Sequence, residues 1–176
     1  MLSRMILSSC AVQPSAQTDR EIAVRLKWTS IFLILLSFGV GAPAFAQLPD
    51  GLVADDSRLV WVDFWASWCA PCRRSFPWMN AMQAKYSGEG FTVLAVNVDK
   101  DRDLAAEFLA EYPAEFPIHY DPSGQLAESF DVQAMPSSFL LDASGAVIAR
   151  HYGFRLAETD EYEAKIRAAL DAVSSD

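Results

Sequence analysis

Two cysteines, Cys69 and Cys72, stand at the end of the apolar run Val60-Trp61-Val62-Asp63-Phe64-Trp65, and residues of helical spacing follow them. A thiol at a strand-to-helix junction meets the free backbone N–H groups of the first helical turn and the positive end of the helix dipole. Both favour a thiolate over a thiol. Such placement lowers a cysteine pKa from about 8.5 toward neutrality or below. Cys69 is therefore the expected nucleophile. Cys72, on the same face of the first turn, is positioned to attack a mixed disulfide formed on Cys69. The chemistry predicted by this spacing is thiol–disulfide exchange.

The elements that must hold this pair read as follows. Residues 58–65 form a strand, nearly continuous in apolar character as a central parallel strand should be. Asp63 interrupts it. A lone carboxylate there either faces outward at the strand end or lies beneath the cysteine pair with a raised pKa. Residues 70–86 have helical spacing, with Phe76, Met79, Met82 and Tyr86 near one face, and Pro77 is expected to kink that helix. Trp78 and Met79 read as packing residues. Gly88 and Gly90 are expected to end it.

Residues 91–98 read as a second buried strand and 99–103 as a charged turn. A helix over 104–112, a short strand over 116–120 and a short helix over 123–130 follow. Pro136 stands at the entrance of a strand over 138–141, unusual because proline removes a ladder donor. Asp142-Ala143-Ser144-Gly145 reads as a hairpin turn, 146–152 as the return strand and 156–173 as an acidic amphipathic helix.

The segment 62–73, with its Val-Asp-Phe-Trp-Ala and Trp-Cys-Ala-Pro-Cys, resembles the active site of the thioredoxin superfamily in its exported TlpA/ResA-like branch. Met135-Pro136-Ser137 matches the proline segment of that fold. The resemblance covers roughly residues 55–174 and implies an α/β, thioredoxin-like fold. Its central mixed sheet is flanked by helices, with an α/β unit inserted between the second strand and the proline strand. It further implies that Asp63 handles a proton for Cys72. Pro136 is expected in the cis form beside the cysteines, with Met135 exposing its backbone to a substrate peptide and Trp68 lining the substrate surface. Ala70, Pro71 and Arg73 are expected to tune the site, Arg73 by its charge. In some relatives a glutamate just after the second strand tunes the thiols; the nearest positions here are Asp99, Lys100 and Asp101. No cofactor beyond the redox-active pair is implied.

Residues 1–46 read as a signal peptide: Arg25 and Lys27, an apolar core over 31–40, and Ala44-Phe45-Ala46 before cleavage at Gln47. The apolar core is about ten residues, where a membrane span needs about 20. A second expectation is that translation starts near Val24 or Leu26. The domain is expected over 47–176. Without the leader the chain keeps 10 basic and 21 acidic residues, and only Cys69 and Cys72 of its three cysteines. That charge argues against nucleic acid or an anionic membrane surface as partner. Two cysteines give no structural disulfide framework in an exported chain.

The resemblance implies an exported, periplasmic thiol–disulfide oxidoreductase acting on protein thiols and disulfides. It is expected to be a monomer, a reductase supplied by a membrane-embedded electron donor, with cytochrome c or copper-site maturation as the setting. A thiol peroxidase would need a threonine or serine and an arginine around a lone cysteine. A copper-delivery protein would need a histidine beside the thiols, and only His119 and His151 are available.

Overall fold

The strand β1 (Leu59–Trp65) is buried along all seven of its residues. Its position explains why. In the computed structural model, which describes residues 48–49, 51–53 and 56–173, β1 is the middle of a five-stranded sheet of order β3-β2-β1-β4-β5. It pairs in parallel with β2 (Phe91–Asn97) and antiparallel with β4 (Ser137–Asp142). The edge strands are β3 (Ile118–Tyr120), parallel to β2, and β5 (Val147–Tyr152), antiparallel to β4. The sheet is mixed and flanked by helices, as the resemblance implies.

Successive side chains of a strand point to opposite faces, and both faces of β1 are covered. Leu59, Trp61 and Trp65 join a core with α1 (Cys72–Tyr86), α2 (Arg102–Glu111) and α4 (Thr159–Val173), whose Phe76, Phe108 and Ile166 are among its members. Val60, Val62 and Phe64 face a second core containing Phe130 and Phe139, closed by Leu126 of α3 (Gln125–Ser129). Two-sided burial is the physical reason for the nearly continuous apolar reading of β1, which Asp63 alone interrupts.

The inserted unit lies between β2 and β4, and its strand β3 extends the sheet beside β2. It is shorter than the sequence suggests, because Phe116 turns into the core instead of pairing. The helix expected over 104–112 begins two residues earlier. Asp101 caps it, its side chain accepting from the Asp103 N–H, so part of the charged turn is helical. Pro77 lies inside an α1 assigned as one continuous helix of 15 residues. That helix ends at Tyr86, ahead of the expected glycines. A 3-10 turn over Ser87–Glu89 follows, and Gly90 at φ 83° closes it. A Cβ at Gly90 would sit 2.9 Å from the Arg58 side chain, so the position requires glycine. A further 3-10 turn, Leu156–Glu158, precedes α4, which therefore starts later than expected.

The hairpin reads as predicted. Asp142 Oδ1 accepts from Ser144 N–H, Ser144 Oγ–H and Ala146 N–H, and Gly145 takes φ 82°. The expected leader, 1–46, lies outside the described residues. Among the described residues no helix is long and apolar enough to cross a membrane.

Candidate active site

β1 ends at Trp65, and the chain makes one tight turn before α1 begins. The Cys69 N–H donates to Ala66 O and the Cys72 N–H to Cys69 O, at 3.0 and 3.2 Å. Helix α1 starts at Cys72 rather than at residue 70, with Pro71 as its N-cap at φ −62° and no side-chain cap. Proline has no N–H to satisfy, so it suits a helix start. Ala70 and Pro71 thus form the turn that carries Cys69 to the helix N-terminus. The two cysteines are joined as a disulfide.

The electrostatics of this helix end favour an anion. The Cys72 N–H also points at Cys69 Sγ, 3.3 Å away, and the first turn of α1 contains no acidic residue. A thiolate on Cys69 would receive that N–H and the helix dipole together. Both cysteines are buried, but unequally: Cys69 keeps 3% of its surface and Cys72 none, so Cys69 is the one with surface left for a partner. Trp68, beside it, is 68% exposed. Trp68 forms one wall of a groove of about 270 Å³ with Ser67, Arg73, Phe108 and Tyr112. The Arg73 guanidinium lies over the Tyr112 ring, 5.9 Å from its centroid.

The proline segment adjoins this turn by register. Phe64 pairs with Ser137, so Pro136 stands level with the end of β1 where the cysteine turn begins. The Met135–Pro136 peptide is cis. Pro136 O accepts from the Gly153 N–H and Ala134 O from the Ser137 hydroxyl, which tie the segment to its neighbours. Met135 is partly buried and touches both cores.

Asp63 faces inward. It shares the face of β1 with Trp61 and Trp65, whose core includes both cysteines. Its Oδ1 accepts from Ser138 Oγ–H at 2.6 Å, while Oδ2 is buried without a partner. Burial pushes its pKa up to about 7, against the smaller opposing effect of the Ser138 hydroxyl. Of the two positions considered for this carboxylate, the outward-facing one is thereby excluded.

Two polar partnerships escaped the sequence reading: that of Asp99, named there only by its position after the second strand, and that of Ser138. The Asp99 carboxylate, 6% exposed, accepts from Ser67 N–H, Ser67 Oγ–H and Asn97 Nδ2–H, at 2.8, 3.0 and 2.8 Å. It therefore clamps the chain two residues before Cys69 to the end of β2. The available signal was position: polar residues at the carboxyl end of a parallel strand lie where α/β sheets build their sites. Ser138, the hydroxyl on Asp63, had no local signal, since only the β1–β4 register brings it there. His119 and His151 lie on opposite edge strands, and among the described residues no cluster of three or more His, Cys, Asp or Glu could hold a metal ion.

Comparison with known proteins gives consistent matches. The Redoxin family profile matches residues 54–166. The thiol-disulfide oxidoreductase ResA of Bacillus thuringiensis subsp. konkukian is 33% identical over 108 residues, 61% of this chain and 62% of that protein. The match thus spans about three-fifths of that relative's length. ResA of Geobacillus kaustophilus is 31% identical over 127 residues, 68% of this chain and 73% of that protein. Among solved structures, one provisionally named thiol:disulfide interchange protein DsbE, from Chlorobium tepidum, is 52% identical. It superposes with a TM-score of 0.64 over 66% of this chain and 82% of that one.

Proposed function

The chain belongs to the Redoxin family, with ResA-type thiol-disulfide oxidoreductases among its relatives, and from that premise we propose that it reduces protein disulfides through the Cys69–Cys72 couple. The observation that carries this reading is the disulfide-bonded sulfur pair at the helix N-terminus, with Cys69 keeping a sliver of surface and Cys72 none. In the reduced protein the Cys69 thiolate attacks one sulfur of a substrate disulfide and expels the other as a thiolate, which takes a proton from water. Asp63 takes the proton of Cys72, and the Cys72 thiolate attacks Cys69 Sγ, expelling the second substrate sulfur as a thiolate that is likewise protonated by water and restoring the enzyme disulfide. A substrate segment lies against Trp68 and pairs with the backbone of Met135 ahead of Pro136. Ala70 and Pro71 set the geometry of the turn, and Arg73 adds positive charge near the mouth of the groove. The dithiol is the whole redox equipment of the site.

The leader supports export to a periplasmic or equivalent compartment, where the protein acts as a soluble monomer after cleavage. A membrane-embedded donor returns electrons to the disulfide, and the thiols of apocytochrome c or of copper-site assembly proteins are the candidate clients.

The experiment is equilibration of the full chain with glutathione or dithiothreitol buffers. A reduction potential near or below about −270 mV supports a dedicated reductase; one near about −120 mV makes it a disulfide donor and overturns the proposed direction.

A further inference from the structure

The pairing of three strands lines up three polar side chains in one row. Asp63 of β1 is opposite Ser138 of β4, and Ser138 is opposite His151 of β5. Side chains in such a row share a face, with Cβ atoms of direct neighbours about 4.5–5.5 Å apart. It is the face that bears Trp61 and the cysteine pair. The Ser138 hydroxyl donates to Asp63 Oδ1. At the two ends of the row, Asp63 Oδ2 and His151 Nε2 are both buried and, among the described residues, both without a hydrogen-bond partner.

The His151 ring is held firmly. It stacks on Trp61 with centroids 5.4 Å apart and planes 21° from parallel, and meets the edge of Tyr162 at 4.7 Å. Tyr162 in turn donates its hydroxyl to Glu158. A half-buried imidazole whose Nε2 is buried and idle costs stability, and aromatic packing alone would be served by phenylalanine.

We propose that His151 is a positioning residue for Asp63, its charge state coupled to that of the buried carboxyl across Ser138, on the helix α4 side of the sheet. The inference rests on the exchange reaction proposed above. When Cys72 gives its proton to the Asp63 carboxylate, the acid must be emptied for the next cycle. Asp63 gives that proton up to water, and a proton held by the imidazole across Ser138 favours the carboxylate that is left. The protons balance at each transfer, and no electrons move.

The charge surroundings suit a group that picks up a proton and gives it back. Glu158 in the turn before α4, together with Glu161 on α4, favours the imidazolium, while burial and Lys165 on α4 disfavour it. Tyr162 packs against the ring from α4, and Asp63 is the carboxyl on the sheet side, across Ser138. The balance lowers the His151 pKa below its ordinary 6.5, burial being the largest cause.

The test is a carboxyl-carbon NMR titration of Asp63 in the oxidised full chain, comparing His151→Phe, His151→Asn and Ser138→Ala with the parent. It is paired with the pH profile of oxidation of the reduced protein by glutathione disulfide. His151→Phe keeps the ring stacking and removes the proton; His151→Asn serves if the phenylalanine variant does not fold. Expected is a displacement of the Asp63 midpoint by about half a pH unit or more, with the rate profile moving alongside it. Ser138→Ala removes the hydrogen bond that lowers the Asp63 pKa, so it should raise the Asp63 midpoint and leave the effect of the His151 change in place. Midpoints and profiles that superpose on the parent in folded His151 variants would overturn the proposal. A parent that does not react with glutathione disulfide would instead defeat the proposed reaction, while the Asp63 midpoint would still report the coupling.

Discussion

The Ser138 hydroxyl and the Asp63 carboxylate meet at 2.6 Å in the centre of the sheet, and among the described residues this is the one donor the carboxylate receives. One hydrogen bond does not replace the hydration of an ion, so the acid is held in its neutral form up to about pH 7.

That imbalance has a sign. The folded-state pKa of Asp63 is raised from 3.8 to about 7, so the folded protein holds the proton more tightly than the unfolded chain does. Stability from this group is complete below pH 3.8 and is lost as pH rises through 7, a difference of about 4 kcal/mol across the window. Asp63→Asn should therefore stabilise the oxidised protein at pH 8 by about 2–4 kcal/mol, with the gain shrinking toward pH 4. Denaturant melts at the two pH values measure it. The same variant should slow disulfide exchange about tenfold or more, because Cys72 loses its base.

The two sulfurs should separate in alkylation. In the reduced protein, Cys69 should react with iodoacetamide with an apparent pKa at least about one unit below the free value of about 8.5, and Cys72 should stay protected. Cys72→Ser should accumulate mixed disulfides with protein substrates, and Cys69→Ser should form none. Mass spectrometry of alkylated and trapped species reads both. Equal alkylation of both sulfurs would contradict the unequal burial of the two cysteines.

Asp99 holds Ser67 by two hydrogen bonds and Asn97 by a third. Asp99→Ala leaves these donors unpaired in a buried place, and a loss of about 1–3 kcal/mol in thermal or denaturant unfolding is expected. Because the Cys69 turn is released with it, the reduction potential should change in the same variant. Ser67→Ala, which removes only the hydroxyl, should lose less.

Trp68 is largely exposed, so Trp68→Ala should leave the unfolding free energy within about 0.5 kcal/mol of the parent. Its effect should appear in substrate binding: a higher KM for a protein disulfide such as insulin, with the rate toward a small disulfide reagent little changed. Steady-state kinetics with the two substrates separate these outcomes.

The sequence was most informative where one local pattern had one physical meaning. The apolar run of β1, interrupted by Asp63 alone, reads as a strand covered on both faces, and the cysteines behind it fall at the helix start. Boundaries were less legible, because capping decides them: Asp101 drew α2 into the charged turn, and Pro71 postponed α1 to Cys72. What stayed hidden depends on pairing between distant segments. Ser138 is 75 residues from Asp63, and Asp99 is 32 from Ser67; neither partnership leaves a trace in spacing or composition.

The short spacing of the cysteines has a thermodynamic consequence. A crosslink between residues three apart closes a ring of only four residues, so it removes little freedom from the unfolded chain. By the loop-entropy relation its contribution is about 2 kcal/mol, at the low end for disulfides. The fold therefore rests on its two packed cores, and each opening and closing of the crosslink withdraws only this small increment. A scaffold built this way can run through many turnovers without approaching its own melting point.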